Sequence, residues 1–327
     1  MEDLINLNDV HVEQTSSTNI SGESIRPASN NDMEQNSSTN NNKNNVTIGD
    51  HQSPIVMLFG PRSSGKSMSL VRLSRYLREC DFKIVVDKTF KSDDNYKEKC
   101  DNFLNNLDTK EALPGNAYTD FLLVKIIKNG KTICQFLEAP GEHYFDPKNV
   151  SATNFPPYMT KIIRNLPNRK IWVFITEAEW EVESDMKKAY VSRIANCKSQ
   201  LMTDKDRKLV LYNKIDRKPE LFDSGRIHIK EAEKAMSDEY KGLKKLFKNN
   251  NPLTSLWCPF NYKFVPFCTG YYNKEDDTLT YTESEDIYPS TLWNNLVKCF
   301  KGKIWQSLIC MYMAFLLVMI FGELVKI

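Results

Sequence analysis

Short apolar runs punctuate the middle of the chain at Ile55–Phe59, Ile171–Thr176, Leu209–Tyr212 and Phe264–Phe267. Runs this brief, separated by longer mixed stretches, read as strands buried on both faces. Between them the spacing of apolar positions predicts helices near 66–79, 179–202 and 230–248. Phe121–Lys128 and Lys131–Leu137 flank Asn129-Gly130, a dipeptide suited to a tight hairpin. Lys83–Val86 reads as an additional strand and Asp93–Leu107 as a helix. Strand and helix alternate, so the pattern predicts an α/β fold of three layers. A mostly parallel sheet is covered by helices on both faces, and the hairpin contributes one antiparallel strand.

The two ends read differently. Residues 1–50 are rich in Asn, Ser, Thr and acidic residues, with runs such as Asn40-Asn41-Asn42. Such a stretch buries too little apolar surface to offset its ordering entropy, so a disordered tail is expected. Met1-Glu2-Asp3-Leu4 lacks the basic and apolar regions of a secretory signal. At the other end, residues 304–322 run for 19 positions without a charge. As a helix that run spans roughly 28 Å, close to a bilayer's hydrocarbon thickness. Lys298, Lys301 and Lys303 precede it. Basic residues there would keep the domain, residues 53–300, on the cytoplasmic side of a single tail anchor. A buried core helix is the competing reading of the same run.

Composition narrows the function classes. Net charge is +2, without the basic bias expected of a nucleic-acid binder. The 8 cysteines are scattered with no C-x-x-C pair, which disfavours a zinc site or a disulfide framework and suits a reducing compartment.

Two motifs carry the chemistry directly. Gly60-Pro61-Arg62-Ser63-Ser64-Gly65-Lys66-Ser67 fits G-x-x-x-x-G-K-[ST] in full, after an apolar strand and at the start of a predicted helix. Glycines let the backbone wrap a phosphate closely, and the helix offers its positive N-terminal end to the same anion. Lys66 would reach the β- and γ-phosphates, and the Ser67 hydroxyl would ligate Mg²⁺. Asn213-Lys214-Ile215-Asp216 follows the strand Leu209–Tyr212. An ionised carboxylate at Asp216 can accept from the N1–H and exocyclic amine of guanine, whereas adenine presents neither donor there. Asn213 and the stem of Lys214 would buttress the loop and the base.

In this order the motifs resemble the Ras-like and translation-factor (TRAFAC) class of phosphate-binding-loop GTPases, over roughly residues 53–300. The insertion after the first helix also brings to mind bacterial GTPases of conflict or membrane systems. The resemblance implies a D-x-x-G after the hairpin, where this chain reads Glu138-Ala139-Pro140-Gly141. In the family that aspartate holds Mg²⁺ through water and the glycine N–H meets the γ-phosphate; Glu138 is one methylene longer. The guanine-contacting loop of the family falls on Cys268 and Thr269. Where many relatives carry a water-orienting glutamine, this chain has Glu142, followed by His143. Arg62 stands where Ras-like proteins have glycine and is a candidate for charge on the transition state. Thr119, with Thr109 behind it, is the candidate for the family's magnesium-binding threonine.

The expectation is therefore a membrane-anchored protein that binds GTP or GDP with Mg²⁺ and hydrolyses GTP slowly, aided by a protein effector or activator. A membrane scaffold that binds nucleotide without turnover, and a phosphate-loop ATPase, are the alternatives.

Overall fold

The computed structural model describes residues 48–91, 94–109, 121–149, 154–155, 157–180, 182, 184–223, 225–256, 258–275 and 278–300. Residues 1–47 of the expected tail, the charge-free run 304–322 and Thr119 lie outside them, whereas the last residues of that tail are ordered, with Ile48 buried and the Asp50 carbonyl accepting from Gln135 and Asn168. In chain order the elements are β1 (Ile55–Phe59), α1 (Lys66–Glu79), β2 (Lys83–Val86), α2 (Asp94–Asp108), β3 (Leu122–Lys128) and β4 (Lys131–Glu138). Then come α3 (Gly141–Tyr144), α4 (Pro157–Asn165), β5 (Lys170–Glu177), α5 (Ser184–Gln200) and β6 (Arg207–Asn213). They are followed by β7 (Phe222–Asp223), β8 (Arg226–Ile227), α6 (Ile229–Glu239), α7 (Leu243–Leu246), α8 (Pro252–Ser255), β9 (Lys263–Pro266), β10 (Gly270–Glu275), β11 (Thr278–Glu283) and α9 (Ile287–Phe300).

The apolar runs become a seven-stranded sheet of order β2-β3-β4-β1-β5-β6-β9. β4, β1, β5, β6 and β9 are mutually parallel, and β3 runs against both of its neighbours. Every residue of β1 and β5 is buried, which requires cover on both faces. α1 packs with α2 and α9, and α5 packs with α7. The β3–β4 turn matches its sequence signal: Asn129 and Gly130 have φ of 50° and 73°, the two positive values of a type I′ hairpin. Among the described residues no helix is long and apolar enough to cross a membrane.

Three expectations need correction. The helix expected over 179–202 begins at Ser184. The stretch 230–248 is two helices, because Gly242 adopts a left-handed φ of 96° and breaks the axis between α6 and α7. Phe264–Phe267 leads into a further two-stranded hairpin, β10–β11, rather than ending the strands. Its Tyr- and Thr-rich residues are too polar to register as an apolar run.

The topology gathers the chemistry. β1 connects through α1 towards β2 on one side of the sheet and its neighbour β5 connects through α5 to β6 on the other, and ligands of open α/β sheets bind at such a switch point. Gly60 follows β1, while Glu138, Glu177 and Asn213 end β4, β5 and β6. Parallel strands place all four at one edge, with Leu58 beside Glu138 and Glu177 beside Asn213.

Candidate functional site

The loop 60–67 closes on itself. Ser63 and Gly65 have positive φ, and the Ser64 N–H donates to the Pro61 carbonyl. Its glycines have no room to be anything else. A Cβ on Gly60 would lie 2.6 Å from Ser64 Oγ, and one on Gly65 would strike the Asn213 amide. A Cβ on Gly141 would collide with the backbone of Pro61 and Arg62. Gly141 thus presses its main chain against the loop 60–67.

At the centre of the cradle Lys66 is buried, and its ammonium donates to the carbonyls of Gly60 at 3.1 Å and Pro61 at 2.7 Å. Burial pulls its pKa down to about 8, opposed by the carboxylates of Glu138, Glu142 and Glu177. Ser67 donates its hydroxyl to Glu138 Oε1, while Glu138 Oε2 is buried with no hydrogen-bond partner. Burial raises the Glu138 carboxyl above its usual range, against the pull of Ser67 and Lys66. The Ser64 hydroxyl is likewise buried and unpartnered.

The base loop is tied to this cradle. The Asn213 side chain, wholly buried, donates through Nδ2 to the Ser64 carbonyl at 3.0 Å. Lys214 takes a left-handed φ of 58° and its ammonium pairs with Glu177. Ile215 N–H donates to the Phe267 carbonyl at 3.2 Å, which sets Asp216 beside the strand exit at Cys268. There burial, and then the neighbouring Asp216 carboxylate, push the Cys268 thiol well up. Thr269 accepts through its carbonyl from the Tyr281 hydroxyl at 2.7 Å. Glu177 was not expected from the sequence; the only hint was an acid at the end of a buried strand on the same sheet edge.

The candidate hydrolytic residues occupy the outer rim. Glu142 and His143 lie in a helical turn, α3. Glu142 Oε1 pairs with Arg62 at 3.5 Å, both side chains about half exposed. His143 lies against the ring of Phe121, 5.8 Å between centroids. Thr109 follows α2; its backbone N–H donates to the Asn105 carbonyl and its carbonyl accepts from Arg75.

Among the described residues no group of three or more His, Cys, Asp or Glu side chains is arranged to hold a metal ion. A hydroxyl, a carboxylate with an orphaned oxygen and a cradle that excludes any Cβ instead fit a cation shared with phosphate. Mg²⁺ is commonly held so, by one or two protein oxygens and the phosphates. No family model matches this sequence, and no curated protein does either.

Proposed function

We propose that the chain is a GTP-binding protein that takes GTP with Mg²⁺ and hydrolyses it slowly to GDP and phosphate. The segment 304–322 would hold it at a membrane, where a protein effector or activator assists. The observation that carries this reading is the hydrogen bond from Asn213 to Ser64, which joins a phosphate-binding loop to a carboxylate loop that suits guanine. The fold, a mostly parallel sheet with one antiparallel strand, is compatible with a Ras-like domain.

The residue roles follow from position. The backbone N–H groups of Gly60, Ser63, Ser64 and Gly65 would face the phosphates, and Lys66 would exchange its two loop carbonyls for phosphate oxygens. Gly141, held against Pro61 and Arg62, would offer its N–H to the γ-phosphate. Asp216 would select guanine, with Lys214 beneath the base and Cys268 and Thr269 completing the wall. Ser67 and Glu138 would hold Mg²⁺, whose charge offsets that of the phosphates. Catalysis of this kind is positioning and charge stabilisation rather than covalent chemistry. Glu142 or His143 would orient water, and Arg62 would lend positive charge.

One observation favours binding without turnover. Glu142 is negative, sits beside Gly141 and is already engaged by Arg62. Single-turnover GTP hydrolysis separates the two readings, with Lys66→Ala as the control. The variant should also lose GTP affinity by about 3 kcal/mol, over a hundredfold, since a buried cation facing phosphate is removed. Unchanged calorimetric affinity would refute this role for the loop.

A further inference from the structure

The edge of the sheet remote from the loop 60–67 carries positive charge that the candidate site does not use. β5, β6 and β9 start there, at Lys170, Arg207 and Lys263, with Arg207 paired to Ile171 and Lys263 to Leu209. α9 ends at the same place: Arg169 donates to the carbonyl of Phe300, its last residue, at 2.6 Å. Lys298 stands in that last turn. Arg169, Lys263 and Lys298 are exposed and Arg207 is half-buried. Among the described residues no carboxylate pairs with any of the four. They are close enough to act on one another and on α9. Burial, and then the charge of Arg169, pull the Arg207 guanidinium below its usual range. Burial lifts the Cys299 thiol, and Lys263 and Arg207 oppose the rise. Of the acids in the turn before β6, Asp206 is buried and accepts from Trp172 and Thr203, and exposed Asp204 is offset by exposed Lys205. Crowded cations without counter-charges favour an anionic surface.

The chain itself selects which surface. The charge-free run begins at Ile304, four residues after Phe300, with Lys301 and Lys303 between. Even fully extended, those residues reach only about 14 Å. An anchor starting at Ile304 therefore holds this edge within little more than a Debye length, about 8–10 Å, of the headgroups. We propose that this edge is the face that rests on the membrane, taking anionic phospholipid headgroups on Arg169, Arg207, Lys263 and Lys298. The proposal rests on the reading of residues 304–322 as an anchor and goes beyond it, by naming the face and the lipid chemistry. It also turns the loop 60–67, at the opposite edge, away from the bilayer and towards soluble nucleotide.

The test uses the full-length chain with vesicles of phosphatidylcholine alone or mixed with phosphatidylserine. Flotation reports association, and lysine acetylation read by mass spectrometry reports which side chains are covered. With phosphatidylserine, Lys205, Lys263 and Lys298 should react about fivefold or more slowly than on neutral vesicles, each basic residue near an anionic surface adding about fivefold to its hold. Lys188, exposed near the start of α5 at the other edge, should react alike on both. Salt near 1 M, where the Debye length is about 3 Å, should remove the protection. In Lys263→Gln/Lys298→Gln, two exposed positions, Lys205 should react on anionic vesicles as it does on neutral ones. Flotation with both vesicles but equal lysine reactivity would overturn the proposal and leave the anchor standing. Flotation with anionic vesicles alone, with the lysines protected, would remove the anchor and support the face. Protection by single-stranded RNA as strong as by the anionic vesicles would make the edge a nucleic-acid face and overturn the proposal.

Discussion

At the scale of the residue, Lys66 shows a site built against its own stability. Its pKa is lowered from 10.5 to about 8 by burial, so the folded chain holds this proton less tightly than the unfolded chain. Below about pH 8 both states are protonated and the fold carries the whole cost of the buried charge. From about 8 to 10.5 the folded state releases the proton first and the cost fades; stability rises with pH across that window. At about 1.4 kcal/mol per unit the effect is of order 3 kcal/mol. Lys66→Met should therefore be more stable than the wild-type apoprotein at pH 7, by up to about 3 kcal/mol. Urea unfolding at a series of pH values should show the advantage shrinking above pH 8. A variant that is less stable at pH 7, or an advantage that grows with pH, would show that the lysine is not desolvated as described. The same variant should not bind GTP, which would mark Lys66 as a functional rather than a stabilising residue.

Among the elements, the join between α1 and the far hairpin matters most. Arg72 and Arg75, both buried, reach from the helix that carries Lys66 and Ser67 to the end of β11. Arg72 donates to the Ser284 carbonyl and to Asp286, and Arg75 to Glu283 and to the carbonyls of Asn106 and Thr109. Ser284 in turn donates its hydroxyl to the Cys268 carbonyl at 2.7 Å, so α1 braces the exit of β9. Arg72→Met leaves these acceptors unmet and should cost about 2–3 kcal/mol. In a domain of this size that lowers the melting temperature by roughly 4–10 °C. Arg78 pairs with Asp108 in the open, so Arg78→Met should cost less than about 1 kcal/mol. Differential scanning calorimetry of the two variants checks the contrast, and equal losses would contradict it.

These contacts also mark what the sequence can reveal. β1 and α1 are legible to the residue, because Ile55–Phe59 is a continuous apolar run and Gly65-Lys66 a defined helix start. The cradle is legible for the same local reason, its residues being adjacent in the chain. The pairing of Glu177 with Lys214 and of Arg72 with Ser284 is not, since tertiary folding alone brings those residues together. β11 escapes notice differently: Thr278–Glu283 alternates Thr with Leu and Tyr, a strand pattern without a hydrophobic run. The helix α9 carries its buried Leu292, Leu296 and Cys299 at helical spacing, a signal hidden by the stronger apolar run after it.

For the whole molecule, the sheet directs four motifs to one edge, and α9 ends at Phe300, just before the charge-free run. A chain truncated after Lys303 should remain soluble and bind nucleotide, while the full-length chain should partition with membranes. Fractionation of both forms checks this, and a full-length chain that stays soluble without detergent would make the run a core helix. The central claim is guanine recognition through Asp216, and competition of GTP, ATP and XTP against a fluorescent guanine nucleotide tests it most directly. Each unpaired polar contact costs about 1–3 kcal/mol, so GTP should outcompete ATP by about a hundredfold or more. In Asp216→Asn one acceptor becomes a donor, and preference should move to XTP. If ATP competes as well as GTP in the wild type, Asn213–Asp216 is a polar turn and the chain is a phosphate-loop protein of another kind.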